Sequence, residues 1–346
     1  MRRILSVFCL AALVAGCHSP QSASASATSG GATGDGKIPI TTHSDQARAL
    51  FLRGRALSEN LQVPEGHAAF EQAVALDPSF AMGEYYLATT APTAKDLSTH
   101  LRNALALAPR ASVGEQLLIR SLQARTHADR ALLLQLAQSL VLQYPLDERA
   151  HLTLAAVYSA QLLHDKAIGE YQEAIAINPH YSLAYNQLGY AYRSVGKLES
   201  AESTFKRYIA LVPNDPNPYD SYAELLMKMG RFDESIAQYR KALSIDHHFG
   251  GSYVGIAADQ MLAGRYHAAI DAAQQYVDSA RDDGERRTAL PHEALLYVDP
   301  GATHPALQAM QPRHPPAAAI AAPTNLAPHG NARAGTPPPH PRPHHP

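Results

Sequence analysis

Cysteine is nearly missing from this chain: among 346 residues only Cys9 and Cys17 carry a thiol, and both fall within the first twenty positions. A disulfide framework, a cysteine zinc site and a CxxC redox pair are thereby excluded from everything downstream. Tryptophan is absent and phenylalanine occurs only 7 times, so the rings of any core must come mainly from the 17 tyrosines. Charge of one sign is lacking too, with 29 basic against 31 acidic residues and a formal net charge of −2. A nucleic-acid binder presents a basic face, which this balance does not predict. Nor does the chain contain GxSxG, HExxH or a phosphate-cradling glycine loop. The expectation is a chain that is not an enzyme and takes no cofactor, metal or small-molecule substrate.

What is present begins with an address. Arg2 and Arg3 precede a run from Ile4 to Gly16 that is almost wholly apolar. As a helix the run reaches about 20 Å, short of the roughly 30 Å of a hydrocarbon core, so it reads as a secretory signal. Its end, Leu13-Val14-Ala15-Gly16-Cys17, resembles the bacterial lipobox. That resemblance implies that residues 1–17 are a lipoprotein signal ending at Cys17, which is acylated and becomes the mature N-terminus. Two or three acyl chains, at about 0.8 kcal/mol per buried methylene, anchor stably where one does not. An ordinary signal peptide with a chance cysteine is the other reading of the same residues. His18, where the family has Asp for inner-membrane retention, points to the outer membrane, facing the periplasm. Residues 18–42 are Ser, Ala, Gly and Thr with few large apolar groups, and composition predicts a disordered tether.

The body carries an internal period. Pro145, Pro179 and Pro213 are spaced by 34 residues. The unit ending at Pro179 holds Ala155, Tyr158, Ala167, Tyr171 and Ala174; one period on stand Gly189, Tyr192, Ala201, Phe205 and Tyr208. The next holds Ala223, Leu226, Ser235, Tyr239 and Ala242, and the last Ala257, Gln260, Ala269, Ala273 and Tyr276. Small residues at the eighth and twentieth places let two helices touch, and rings at the eleventh and twenty-fourth fill the space between hairpins. Gly196, Gly230 and Gly264 stand where the first helix must stop, because glycine accepts the left-handed cap. The late proline ends the second helix. A unit of this size buries too little by itself, so several must stack.

These residues resemble the tetratricopeptide repeat family, with His151, Tyr185, Tyr219 and Tyr253 where the family has its first-helix tryptophan. The resemblance is strong over 148–249 and weak over 81–147, where spacing slips; even there Leu118, Leu122, Leu132, Leu136 and Leu140 keep a helical period. It implies an all-α, right-handed α-solenoid of about seven hairpins over 43–285, binding a protein or peptide in its concave groove. The family's groove places fall on Arg149, Leu152, Asn186, Tyr190, Arg193, Asn217, Asp220, Glu224, Met227 and Lys228. Tyr, Arg and Met suit a peptide hot spot. The family's carboxylate clamp, which captures a free C-terminus, is not matched.

Asp220 and Glu224 lie one turn apart, which invites an acid–base reading; without a pocket the pair reads as a solvated face. His247-His248 reads as a helix-end cap. Residues 286–311 look like a degraded repeat, with Pro291, Pro300 and Pro305 inside would-be helices. Residues 312–346, rich in Pro, Ala and His, read as a disordered tail. A decayed hairpin and a frame shift near residue 290 both fit that change. The function expected is a membrane-anchored interaction scaffold in the bacterial envelope; the alternative is the non-catalytic arm of a protein with a further domain beyond about residue 290.

Overall fold

The computed structural model describes residues 35–60, 62–287 and 289. The signal and lipidation site at 1–17, most of the tether and the tail lie outside them. Among the described residues there are fourteen α-helices as far as Asp278, one short 3-10 turn at Ala108–Arg110, a further helical stretch at 283–287 and no strand. The helices pair in chain order as seven hairpins, and the chain divides into two compact units at Val212 and Pro213.

The first unit holds five hairpins: α1 (Asp45–Glu59) with α2 (Val63–Leu76), α3 (Ala81–Thr89) with α4 (Ala94–Leu107), α5 (Val113–Thr126) with α6 (Arg130–Gln143), α7 (Glu148–Ala160) with α8 (His164–Ile177), and α9 (Ser182–Ser194) with α10 (Leu198–Leu211). The second holds α11 (Asn217–Lys228) with α12 (Phe232–Ile245) and α13 (Gly250–Leu262) with α14 (Tyr266–Asp278). The weakly patterned stretch therefore folds as hairpins too. Its leucines Leu118, Leu122, Leu136 and Leu140 are buried.

The repeat markers do what their size suggests. Ala155, Ala167, Ala174, Ala201, Ala223 and Ala242 are wholly buried. At Gly189 a Cβ would lie 2.6 Å from the Phe205 ring, and at Gly255 one would lie 2.1 Å from the Tyr239 ring. The missing tryptophans have a physical replacement that spacing alone does not reveal. The hydroxyls of Tyr185, Tyr219 and Tyr253 donate to the carbonyls of Pro179, Pro213 and His247, each six residues earlier, at 3.2, 3.0 and 3.1 Å. His151 Nε2 lies 3.0 Å from the Pro145 carbonyl in the same relation. Each ring thus ties the first turn of its helix to the turn that precedes it.

One sequence expectation is corrected. Residues 37–42, read as the end of a tether, form an extended strap against the first unit. Ile38 is buried in the core that includes Phe51, Phe70, Ile119 and Tyr144, and Ile40 packs against the same cluster. Low average hydropathy hid two isoleucines, of which Ile38 joins the core and Ile40 covers it only when distant hairpins meet.

Glycine takes the left-handed cap at Gly196, Gly230 and Gly264 (φ +76°, +74° and +73°). In the third and fourth hairpins Ala128 (φ 56°) and Leu162 (φ 60°) hold that place. A side chain there costs about 1–2 kcal/mol, and glycine gives back about 0.4–1 through the freer unfolded chain. Leu162 is 74% exposed, so little packing is lost on removing it. Leu162→Gly should stabilise the protein by about 0.5–1 kcal/mol in denaturant melts, whereas Gly189→Ala should destabilise it.

Candidate protein-binding surface

In the first unit, Arg149 is held by its own helix start. Asp147 caps α7, accepting Arg149 N–H at Oδ1 (2.9 Å), and the Arg149 guanidinium donates from Nε to Oδ1 (2.9 Å) and from Nη2 to Oδ2. Leu152 packs between the cluster of Leu154 and Tyr171 and that of Tyr181 and Ala184. Asn186 is buried on α9. Tyr190 and Arg193, one turn apart on α9, are half-buried. The Tyr190 ring meets Phe205 edge-on at 5.3 Å, and the Arg193 guanidinium lies over the same ring at 4.9 Å. Stacking of this kind orders a long cationic side chain.

The inner helices of this unit converge elsewhere as well. Ser182 at the start of α9 donates to Asn60 at the end of α1 at 3.0 Å, so the first and fifth hairpins touch. Glu59 sits beside that contact. Burial drives its pKa up to about 7; Arg55 opposes the rise, and Glu148 and Asp147 add to it. A cavity of about 330 Å³ opens beside the strap, lined by Lys37, Arg48, Arg55 and Arg149 with Asp35 and Glu148 among the lining residues.

In the second unit, Asn217 begins α11 with its N–H on Asp215 Oδ1 (2.8 Å). Glu224 and Met227 are half-buried and Lys228 is exposed. Asp220 is not the solvated residue that its spacing from Glu224 suggests. It is buried and accepts the Ser252 hydroxyl from α13 at 2.7 Å, and burial pushes its pKa up to about 6, with Glu224 acting in the same direction. A second acid escaped the sequence reading. Asp259 occupies the place held by Val157, Ala191 and Leu225 in the preceding repeats. It is wholly buried; the Ser235 hydroxyl beside it is directed to the Ala223 carbonyl, and neither that hydroxyl nor Arg265 offsets the burial. Burial lifts its pKa to about 6 as well. Only the departure of one repeat from the apolar pattern at that place signals it. His248 joins α14 through Nδ1, 2.6 Å from the Ser279 carbonyl. The described residues contain no cluster of three His, Cys, Asp or Glu able to hold a metal ion.

The raised carboxyls fix a sign for pH dependence. Between the ordinary value of 3.8 and about 6 the folded state binds more protons than the unfolded chain, so stability falls as pH rises through that window and stays low above it. Asp259→Val should therefore stabilise the protein by about 2 kcal/mol at pH 7.5 and by less at pH 4.5, read from denaturant melts at the two pH values.

Comparison with known proteins agrees with this architecture. Two models of the tetratricopeptide repeat match, one over residues 170–203 and one over 217–247. The chain is 27% identical over 135 residues to superkiller complex protein 3 of Mus musculus, which covers 38% of this chain and 8% of that protein, so the chain spans less than a tenth of its relative. The crystal structure of the APC/C hetero-tetramer Cut9–Hcn1 aligns with a TM-score of 0.57 at 17% identity, over 75% of this chain and 51% of that one. A thermophilic TPR protein of Thermus thermophilus aligns with a TM-score of 0.40 at 21% identity, over 62% and 99% of the two chains. Among the described residues no helix is long and apolar enough to cross a membrane. Tandem hairpins, small residues at their crossings and the two direct matches lead to one conclusion: the chain carries tetratricopeptide repeats.

Proposed function

We propose that this chain is a non-catalytic scaffold that docks protein or peptide partners, held to a bacterial outer membrane on its periplasmic side by lipid on Cys17. The observation that carries the binding half is the α9 pair. Tyr190 and Arg193 join an aromatic face and a stacked guanidinium on a half-buried helix surface. These two residue types most often dominate interface energies, with truncation costs of about 2 kcal/mol or more. Support for the anchoring half is the Leu13-to-Cys17 motif alone. With the strap docked from Lys37, 19 residues lie between Cys17 and the strap, so lipid on Cys17 would keep the repeats close to the membrane surface.

Tyr190 also packs on Phe205, so its removal perturbs stability and binding together; Arg193→Glu is the cleaner probe. In pull-downs from membrane extract, Arg193→Glu should lose partners while costing no more stability than the roughly 0.5–1 kcal/mol of an exposed cation–ring stack. Ala201→Leu, at a wholly buried crossing, should instead cost about 1–3 kcal/mol of stability. Partner capture that survives Arg193→Glu removes α9 from the binding surface. Separately, Cys17→Ser should move the protein from the membrane pellet to the soluble fraction, and a Ser variant that still sediments with membranes overturns the anchor.

A further inference from the structure

The strap of residues 37–42 is held as a peptide ligand is held, by backbone groups and alternate side chains. Ile38 N–H donates to Asp147 Oδ2 at 2.8 Å, Thr41 N–H to Glu115 Oε1 at 2.8 Å, and the Thr42 hydroxyl to Asp77 Oδ2 at 2.6 Å. The Ile40 carbonyl accepts from Arg48 Nη1 at 2.7 Å, and Lys37 pairs with Glu148. Ile38 enters the core at Gly114, where a Cβ would stand 2.9 Å from its Cγ2.

All three carboxylates serve their own helix ends as well as the strap. Asp147 gives Oδ1 to the start of α7, and its Oδ2 accepts both the Arg149 guanidinium and the Ile38 N–H of the strap. Glu115 gives Oε2 to Ser112 N–H in the capping box of α5 and Oε1 to the strap. Asp77 gives Oδ1 to Ser79 and Oδ2 to Thr42 and His43. Each hairpin therefore keeps its own cap whether or not the strap is present: the strap takes the spare oxygens of Glu115 and Asp77 and shares Oδ2 of Asp147 with Arg149. Acceptors that remain built when an occupant leaves define a site. Helix ends of this kind normally turn their spare acceptors to water.

We propose that the strap is a resident, displaceable ligand, and that its seat on the first, third and fourth hairpins is a binding site for an extended peptide with a cation followed by two aliphatic residues two positions apart, as in Lys37-Ile38-Pro39-Ile40. The seat is distinct from the α9 surface and independent of the lipid anchor. Its selectivity follows from the contacts: the spare oxygens accept N–H and hydroxyl donors, Glu148 takes the cation, and the pocket at Gly114 and Tyr144 takes the first aliphatic side chain. An incoming peptide must compete with a segment already joined to α1, so effective concentration favours the resident strap until it is weakened or pulled away.

The test uses the full chain and a labelled synthetic peptide of residues 35–44. Ile38→Asp/Ile40→Asp should release the strap in cis, and this variant should bind the peptide at least tenfold more tightly than the unaltered chain. A peptide carrying the same two substitutions should not bind. Equal binding to both chains, or none to a variant whose helical circular dichroism is intact, overturns the proposal. If the variant fails to fold, amide hydrogen exchange on the unaltered chain decides. The Ile38 and Thr41 amides should exchange together and at least tenfold faster than the amides within α5 and α7. Exchange of those amides only through global unfolding makes the strap a fixed part of the fold and sinks the idea.

Discussion

Everything in this architecture depends on how closely the two helices of a hairpin approach. Wholly buried alanines at Ala155 and Ala167, with Ala201 and Ala223 in later repeats, set that distance. Rings then fill what the small residues leave, and at Gly189 and Gly255 the backbone itself is the wall against which Phe205 and Tyr239 rest. Where the second small residue is a serine, the spacing survives because Ser235 donates its hydroxyl to the Ala223 carbonyl across the same crossing. A polar atom at such a crossing is tolerated only with a partner of this kind.

Buried carboxylates stand in a different balance at each place. In the first unit the outcome differs from one acid to the next: burial raises Glu59 to about 7 and Asp147 to about 6, whereas Asp77 is held down. Burial opposes the charge on Asp77, yet hydrogen bonds from Ser79, Thr42 and His43 outweigh it and hold the pKa down to about 2. Its ionised form thus contributes stability that is lost as pH falls from the ordinary carboxylate range toward 2. In the second unit burial wins at both acids: Asp220 has the Ser252 hydroxyl as its partner, and the Ser235 hydroxyl and Arg265 near Asp259 do not offset its burial. Both acids meet α13, Asp220 through Ser252 and Asp259 as a residue of that helix, so neutral pH loads this hairpin with charge that acid would remove.

The strap and the helix caps share one set of acceptors, which links local structure to long-range order. A cap is a local matter, legible from Ser112 and Glu115 three residues apart. The second use of Glu115, by Thr41, spans 74 residues of sequence. Both uses rest on the same fact, that a carboxylate has more lone pairs than one N–H can occupy.

By itself the sequence determined the class, the hairpins and their crossings, because a 34-residue period of small residues, rings and turn formers is a local code, and each hairpin closes with neighbours in the chain. Gly196, Gly230 and Gly264 were legible for the same reason: a helix that must reverse needs a left-handed residue. The tertiary structure alone decided which polar and apolar side chains are used up by packing. Asp220 reads as exposed by spacing and is buried by Ser252; Arg149 reads as a groove residue and is held on Asp147; Ile38 reads as tether and is core. In each case the deciding partner lies outside the helix that the pattern describes, and for Ser252 and Ile38 it lies more than thirty residues away. Period and composition record neighbours along the chain, whereas burial is set by whatever folding brings to the same place.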